Sequence, residues 1–496
     1  MVPSNPADTV VNPPPEPLFE SHVRIDQLLD EALTDPERIV LIHADHRWTA
    51  KALRVEIQRR AGILHEYGLG AGDTVVTTER LSAEMLLSCL ACCRQGIIFC
   101  HLSPQYTAEE LLPLATSAGT RTVLTQEGTS HPLLPQLTSL PLALPGEPIA
   151  VEMSAPATFR SAEAPALLAA TSGTTALVPK LAIIPHRALT WRRHLPTWSE
   201  AQPGTTASTI QSFKGLLHQF CITIAQGNTF LVTSTTAPAK LEAELARYRV
   251  QDLITQPTIL NLLLDNPLPS PTGLRLRTIR SGSAALPPTL ADATVARYGA
   301  TVIQNHSSTE SSQVIGVPES GAPAGSLGKP YVGVAVRVVD TEGVEVPQGQ
   351  QGELIVRHPG LMLGYLDDPG ATAEALRDGW YWTGDLAYRD SEGFLFFAGR
   401  RALRINVGGY KVLPEEVERV LCQHPGVRDA VVLALPDPKR GEVVRAITCP
   451  ASVPPSHAEL RRFCRSYLAA YKVPRVWEFR DVLPRSPLGK VLRHAL

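Results

Sequence analysis

The sequence predicts an α/β protein: a large N-terminal unit of α/β sheets followed by a small α+β unit at the C-terminus. Three observations predict it. Helical and strand-like patterns alternate from about residue 22 to 150 and again from about 240 to 310, the mark of a sheet with crossover helices. Residues 325 to 400 change to short alternating strands separated by Gly and Asp turns. A further change near Gly399 and Arg400 opens a segment of about 95 residues with its own helix and strand pattern, a size within the range of one domain.

The elements follow in order. The first 17 residues, "MVPSNPADTVVNPPPEP", are rich in Pro and polar groups, and residues 1–20 are expected to form a flexible tail. They lack the basic start and apolar core of a secretory signal. "KALRVEIQRRAGILHEYGLGAGD" places Leu53, Ile57, Ala61 and Leu64 on one helical face before stopping at Gly68 and Gly70. "DTVVTTE" and "TRTVLTQ" read as strands around the helix "SAEMLLSCLACCRQG", closed by Gly96. "VQDLIT", "LRLRTIRSGS" and "TVIQNHSSTE" are strands that run into polar or small-residue turns, with "TLADATVARYG" as a helix before the third. Ligands of such sheets sit beyond the carboxyl ends of strands. The loops after residues 170, 280 and 304 are therefore expected to face one crevice. "VAVRVVD", "GELIVR" and "GFLFFAG" read as antiparallel strands. In the last segment, "LPEEVERVLCQHPGVRDAVVLALP" gives a helix then a strand, and "HAELRRFCRSYLAAYKVP" a helix with Leu460, Phe463, Cys464 and Tyr467 on one face.

Composition narrows the function. The chain has 496 residues, 44% of them hydrophobic and 19% charged, with a formal charge of −2. That balance suits a globular protein and offers no general electrostatic grip on nucleic acid or anionic lipid. No apolar run is long enough to span a bilayer. The eight cysteines follow no metal or disulfide framework. Cys89, Cys92 and Cys93 read as small core side chains on one helix, and a reducing, cytoplasmic setting is expected.

"LLAATSGTTALVPKLAIIPH" raises the first chemical question. A strand-like start turns into Thr171, Ser172, Gly173, Thr174 and Thr175 and reaches Lys180. Hydroxyls and backbone N–H groups in such a loop suit phosphate. It is not a Walker-type loop, which needs Gly directly before its Lys, where Pro179 stands here. Alone, the pattern is more often that of a polar turn than of a phosphate loop.

Read together, several separated segments resolve the question. "RWTAKAL", the loop 171–180, "SGSAALPP", "HSSTE", "GELIVR", "DGWYWTGDL", "GRRALRINVGGYKVLPEEVE" and "LPRSPLGKVLR" occur in this order. In that order and spacing the chain resembles the adenylate-forming superfamily: acyl- and aryl-CoA ligases, adenylation domains of peptide synthetases, and luciferases. The resemblance runs from about residue 25 to the C-terminus. It implies an N-terminal ATP- and acid-binding domain, residues 21–399, of α/β sheets plus a distorted antiparallel barrel. A mobile lid domain, residues 400–496, would carry the catalytic lysine. It implies attack of a carboxylate on the α-phosphate of ATP, giving an acyl-adenylate and pyrophosphate, with Mg²⁺ present. A thiol of CoA, or the phosphopantetheine of an acyl carrier protein, would then take the acyl group.

The resemblance also assigns roles. Lys490 matches the lysine that bridges carboxylate and α-phosphate, two anions that need a cation between them. Asp385 matches the acceptor for the ribose hydroxyls, with Arg400 a second contact near the sugar. Glu310 matches the Mg²⁺ ligand, and Thr309 and the loop Thr171 to Thr175 with Lys180 match phosphate contacts. Gly282, Ser283, His306 and Ser307 would line the adenine, Gly282 also facing the acid.

This sequence departs from the family pattern at several points. Ala176 stands where the loop usually has Gly, with one residue added, and Ala adopts positive φ less freely. His306-Ser307 replaces Tyr-Gly, and Ala402 replaces a charged hinge residue. Lys214 aligns with the aspartate that binds the ammonium of amino-acid substrates; a lysine there repels an ammonium and disfavours an α-amino acid. Lys214 either pairs with a second carboxylate or polar group on the acid, or faces solvent. Gln304 tilts the reading toward an acyl- or aryl-acid ligase. His186 and His218 read as core or surface histidines. Transfer to an amine, and a non-catalytic nucleotide-binding homologue, stay open at this point.

Overall fold

Strand Thr301–Ser308 is the pivot of the largest sheet. On one side it pairs in parallel with Thr278–Ser281. On the other it pairs antiparallel with Ser312–Gly316. Parallel pairing continues outward through Asp252–Thr255, Thr205–Ser208, Thr229–Val232 and Ile39–His43. Antiparallel pairing continues through Ser326–Pro330, Leu395–Arg400, Trp380–Arg389, Gly352–Arg357 and Ala335–Val339. The chain's change of pattern after residue 310 is thus a change of strand direction within one 14-stranded sheet. Register shifts at His306/Ser307, Glu353/Ile355 and Leu386/Ala387 distort the antiparallel half, as bulges do.

This computed structural model describes residues 23–104, 106, 108–126, 137–144, 161–171, 179–193, 204–210, 212–266, 269, 272–284, 286–317, 321–323, 325–407, 410–437, 441–485 and 490–496. The tail 1–20 and the loop residues Ser172, Gly173, Thr174, Thr175 and Ala176 lie outside them.

A second sheet, of seven strands, contains Pro165–Ala170, Leu181–Pro185, Ile98–His101, Thr74–Thr77 and Thr122–Thr125. Helix Ala50–Glu66 buries Leu53, Ile57, Ala61 and Leu64, the face its periodicity predicts. Helix Ala83–Gln95 starts at Ser82, whose side chain accepts from Met85 N, and stops at Gly96 in the left-handed region. Its Cys89, Cys92 and Cys93 are buried core residues. Helix Phe213–Ala225 is buried on nearly every side and carries Lys214 and His218 inward.

The C-terminal unit has its own five-stranded sheet and its own core. Gly441–Pro450 pairs with Val427–Asp437 on one side and in parallel with Val476–Phe479. Helices Pro414–Leu421 and His457–Tyr467 bury Val417, Leu421, Leu460 and Cys464. Tyr467 departs from its expected place on the buried face. It ends its helix and is exposed, its ring against Phe463 at 5.0 Å. Periodicity predicts a face, but the core beneath this helix ends one turn earlier. No helix among the described residues is long and apolar enough to cross a membrane.

Gly328 tests the sheet junction. Its φ is +98°, and an added Cβ would sit 1.9 Å from Gly316 O. Gly328→Ala is expected to cost roughly 3 kcal/mol or more in urea unfolding. Gly299→Ala, at a helix end with open space around it, is expected to cost only about 1–2 kcal/mol. Equal costs would show that the junction tolerates a side chain.

Candidate active site

The site begins with a cross-strand pair. Strands Trp380–Arg389 and Leu395–Arg400 run antiparallel with Asp385 opposite Arg400. Asp385 is 2% exposed. Its Oδ1 lies 2.6 Å from Arg400 Nε, and its Oδ2 lies 3.1 Å from His306 Nε2. Thr383 Oγ1 accepts from Asp385 N at 3.0 Å and donates to Leu354 O at 2.7 Å, which pins the turn. Burial pushes the Asp385 carboxyl up. The hydrogen bond from His306 and the charges of Arg400, His306 and Lys490 outweigh it and hold the group below the usual carboxylate range.

Lys490 therefore lies within electrostatic reach of Asp385, although it stands near the other end of the C-terminal unit in sequence. Burial lowers its pKa first, then the charge of Arg400; Glu310 and Asp385 offset part of this. Four residues singled out from sequence, Glu310, Asp385, Arg400 and Lys490, share one neighbourhood.

Glu310 and Thr309 occupy the reversal between strands Thr301–Ser308 and Ser312–Gly316. Glu310 O accepts from Met362 N at 2.8 Å, and its Oε1 accepts from Tyr365 OH at 3.0 Å. Burial and the charge of Glu310 raise the Tyr365 phenol, so it stays a donor. Tyr381, buried nearby, feels the same charge and bonds to Ser308. Among the described residues no salt bridge engages Glu310 and no group of three or more His, Cys, Asp or Glu gathers around a metal position. One unpaired carboxylate fits a hard cation that takes its other oxygens from phosphates and water.

Lys214 does not face solvent. Its Nζ donates to Thr309 O and to Ser312 Oγ, each at 2.7 Å. Ser312 has a φ of 58°, strained for a residue with a side chain, so the lysine ties both ends of a tight reversal. Burial lowers its pKa to about 7, with Glu310 opposing the shift. Nearby, Arg192 lies over the Tyr331 ring at 4.0 Å and donates to Gln313 at 3.3 Å. The charge of Arg280 is felt there too. Among the described residues, no carboxylate pairs with Arg192 or Arg280. His186 and His218 are core histidines, each kept neutral by burial.

The remaining predicted residues are placed less tightly. Thr171 N donates to Lys180 O at 2.8 Å where the loop leaves and rejoins the sheet. Lys180 Nζ pairs with Asp368 at 2.9 Å and lies 5.3 Å from the centre of the Tyr365 ring. That ring links Lys180, where the chain rejoins the sheet, to Glu310. Gly282 N donates to Thr255 O, and Ser283 follows at a φ of 69°. A Cβ on Gly282 would meet nothing nearer than Asn305 O at 3.9 Å, so packing within the protein does not demand glycine there. Ser307 is exposed. The strand expected to end at 304 continues to Ser308, because antiparallel pairing holds it. At the hinge position, Ala402 sits in a single 3-10 turn while its neighbour Arg401 pairs with Glu353 at 3.1 Å. Sequence reasoning missed Tyr365, Arg192 and Asp368, none of which stands in a segment whose pattern signals chemistry, and it passed over Tyr381 inside "DGWYWTGDL", where Asp385 drew the attention.

Two family matches agree with this arrangement: AMP-binding enzyme over residues 28–366 and AMP-binding enzyme C-terminal domain over residues 416–490. The chain belongs to the AMP-binding enzymes. It is 30% identical to the sulfoacetate–CoA ligase of Cupriavidus necator, covering 92% of this chain and 94% of that one. It is 31% identical to the fatty acid–[acyl-carrier-protein] ligase ScoC of Streptomyces coeruleorubidus, covering 90% and 91%. Among solved structures, the O-succinylbenzoate coenzyme A synthetase of Bacillus subtilis, in complex with ATP and magnesium ion, matches with a TM-score of 0.82 and 26% identity over 95% of this chain and 98% of that one. This AMP-binding enzyme is an ATP-dependent, AMP-forming acid–thiol ligase, with the large N-terminal and separate C-terminal domains of its relatives.

Lys490 in this enzyme is expected to titrate below the ordinary lysine value of about 10.4. NMR of reductively ¹³C-methylated enzyme, assigned with Lys490→Arg, would read it. Arg400→Gln removes one repelling charge and should move the titration up. An ordinary value in both proteins would place Lys490 outside the cleft.

Proposed function

We propose that residues 400–496 act as a lid that brings Lys490 onto ATP and a small carboxylic acid held by residues 21–399. The observation that carries this is the shared neighbourhood of Lys490, Arg400, Asp385 and Glu310. Asp385 accepts from the ribose hydroxyls; a carboxylate has about four acceptor sites, so its contacts with Arg400 and His306 leave room for a diol. Arg400 steadies that carboxylate against the sugar. Gly282, Ser283, His306 and Ser307 face the base, and the absence of packing around Gly282 suits a flat ring lying on the backbone. Thr171 to Thr175, Lys180 and Thr309 hold the phosphates. Glu310 would hold Mg²⁺, which supplies neutralising charge to the phosphate oxygens.

In adenylation a substrate carboxylate oxygen bonds to the α-phosphorus as the bond to pyrophosphate breaks. Lys490 lies between the two anions and stabilises the charge that builds up there. In the second half-reaction a thiol attacks the acyl carbon and AMP leaves. CoA and the phosphopantetheine of an acyl carrier protein are both acceptors of the right chemistry, and one named relative uses each. All eight cysteines are unpaired thiols, which suits the cytoplasm.

The acid in this reading carries a second anionic or polar group. Arg192 and Arg280 are cations with no acid beside them among the described residues, and Lys214 uses two of its three N–H bonds on neutral oxygens. Buried charges call for partners, and an ammonium would be repelled.

Acid-dependent pyrophosphate release tests both parts. Lys490→Ala is expected to lower it by about 10² or more. Across a panel of aryl, fatty, dicarboxylic, sulfonated and amino acids, those with a second anionic group should lead by about tenfold or more in kcat/KM. Arg192→Met should erase that lead, which corresponds to roughly 1.4 kcal/mol. Unchanged release in Lys490→Ala, or a flat panel, would reject the respective assignment. A second pass with CoA, then with a phosphopantetheinylated carrier protein, would identify the acceptor.

A further inference from the structure

We propose that Glu418 and Arg493 form a clamp that sets the position of Lys490, making both of them positioning residues for adenylation. The proposal rests on the reading of Lys490 as the catalytic cation.

Arg493 stands three residues beyond Lys490, so at most about 11 Å of chain separates them. Its guanidinium is forked over the body of the C-terminal unit. Nη2 lies 2.7 Å from Glu418 Oε1, and Nη1 donates to Val432 O at 2.5 Å. Val432 N donates to the same Glu418 oxygen at 2.7 Å, which closes a ring of three groups. Both charged side chains are largely buried. Charge-assisted, forked contacts of this kind fix geometry as well as contribute energy.

The segment between clamp and lysine is held as well. Leu492 N donates to Pro484 O at 2.8 Å, and Val491 forms an isolated antiparallel bridge with Arg485. Val491 and Leu496 pack on Val431, Ile447, Cys449 and Leu483. Arg445 donates to Leu496 O at 3.1 Å.

One helix connects this clamp to the nucleotide side of the site. Glu418 lies on Pro414–Leu421, and Glu415, three residues earlier on the same face, accepts from Arg400 N at 3.3 Å. Gly399 presses against it so closely that a Cβ there would lie 2.8 Å from Glu415 Oε2. The helix thus grips the strand bearing Arg400 with Glu415 and the tail bearing Lys490 with Glu418, one turn on. The distance between the two cations is set by one turn of helix, although 90 residues of chain lie between them.

Chemistry favours a positioning role over a purely structural one. Burial pushes the Glu418 carboxyl up to about 7. The charge of Arg493 and the Val432 N–H pull it down, and Glu415 raises it again. Around it stand Arg493 from the tail and Glu415 and Cys422 from its own helix, while Asp429 of the neighbouring strand pairs with Arg485 instead. A carboxyl so placed takes a proton when its partner is removed. Loss of Arg493 therefore releases the tail without leaving a buried charge to unfold the unit.

A double-mutant cycle on the full-length enzyme tests this. Arg493→Met and Glu418→Gln, the latter keeping an acceptor for Val432 N, are each expected to lower kcat for acid-dependent ATP–pyrophosphate exchange about tenfold to a hundredfold. KM for ATP should change less than about threefold. In a Lys490→Ala background the same changes should have no further effect, because the residue they position is gone. Losses that persist at full size in that background, unchanged exchange in the single variants, or failure of Glu418→Gln to fold, would each overturn the clamp. An exchange rate unaffected by Lys490→Ala itself would instead overturn the reading of Lys490 beneath it.

Discussion

Asp385 is a carboxylate almost fully removed from water, and polar and charged partners from distant segments converge on it and hold it below the usual carboxylate range. Arg400 comes from the paired strand, His306 from the end of the central strand, and Lys490 from the C-terminal tail. Desolvation of an acid is costly without such partners. Residues far apart in the sequence meet around this one charge.

The sheet makes that convergence geometric. A strand that is parallel on one edge and antiparallel on the other ends at the reversal carrying Thr309 and Glu310. His306, the last residue before the register shift, reaches Asp385 from this strand. The reversal itself is strained at Ser312, and the buried Lys214 spans it. Lys214 was expected either to pair with a second group on the acid or to face solvent. Instead it is buried, and its hydrogen bonds go to the loop that presents the acidic residue.

The departures from the family pattern acquire physical content in this frame. His306 keeps a polar partner for the buried carboxylate. The uncharged Ala402 is flanked by Arg401, whose pair with Glu353 supplies a charge at the same junction. Thr309, Glu310, Asp385, Arg400 and Lys490 all remain, and four of them meet. That assembly argues against a decayed, merely nucleotide-binding chain, since a chain freed from catalysis has no reason to keep a buried carboxylate beside Arg400 and Lys490.

The sequence by itself determined the fold class, the helical faces such as Leu53-Ile57-Ala61-Leu64, the burial of Cys89, Cys92 and Cys93, and the identity of the motif residues. Those properties are local: side-chain periodicity and short spacings encode them. Only the tertiary structure decided which residues meet. Lys214 binds an oxygen 95 positions away and Tyr365 a carboxylate 55 positions away. Arg493 reaches back 75 positions to Glu418. Such contacts depend on strand order, register and a change of strand direction at one junction. Those follow from the burial of the whole chain at once, and no window of neighbouring residues contains that information.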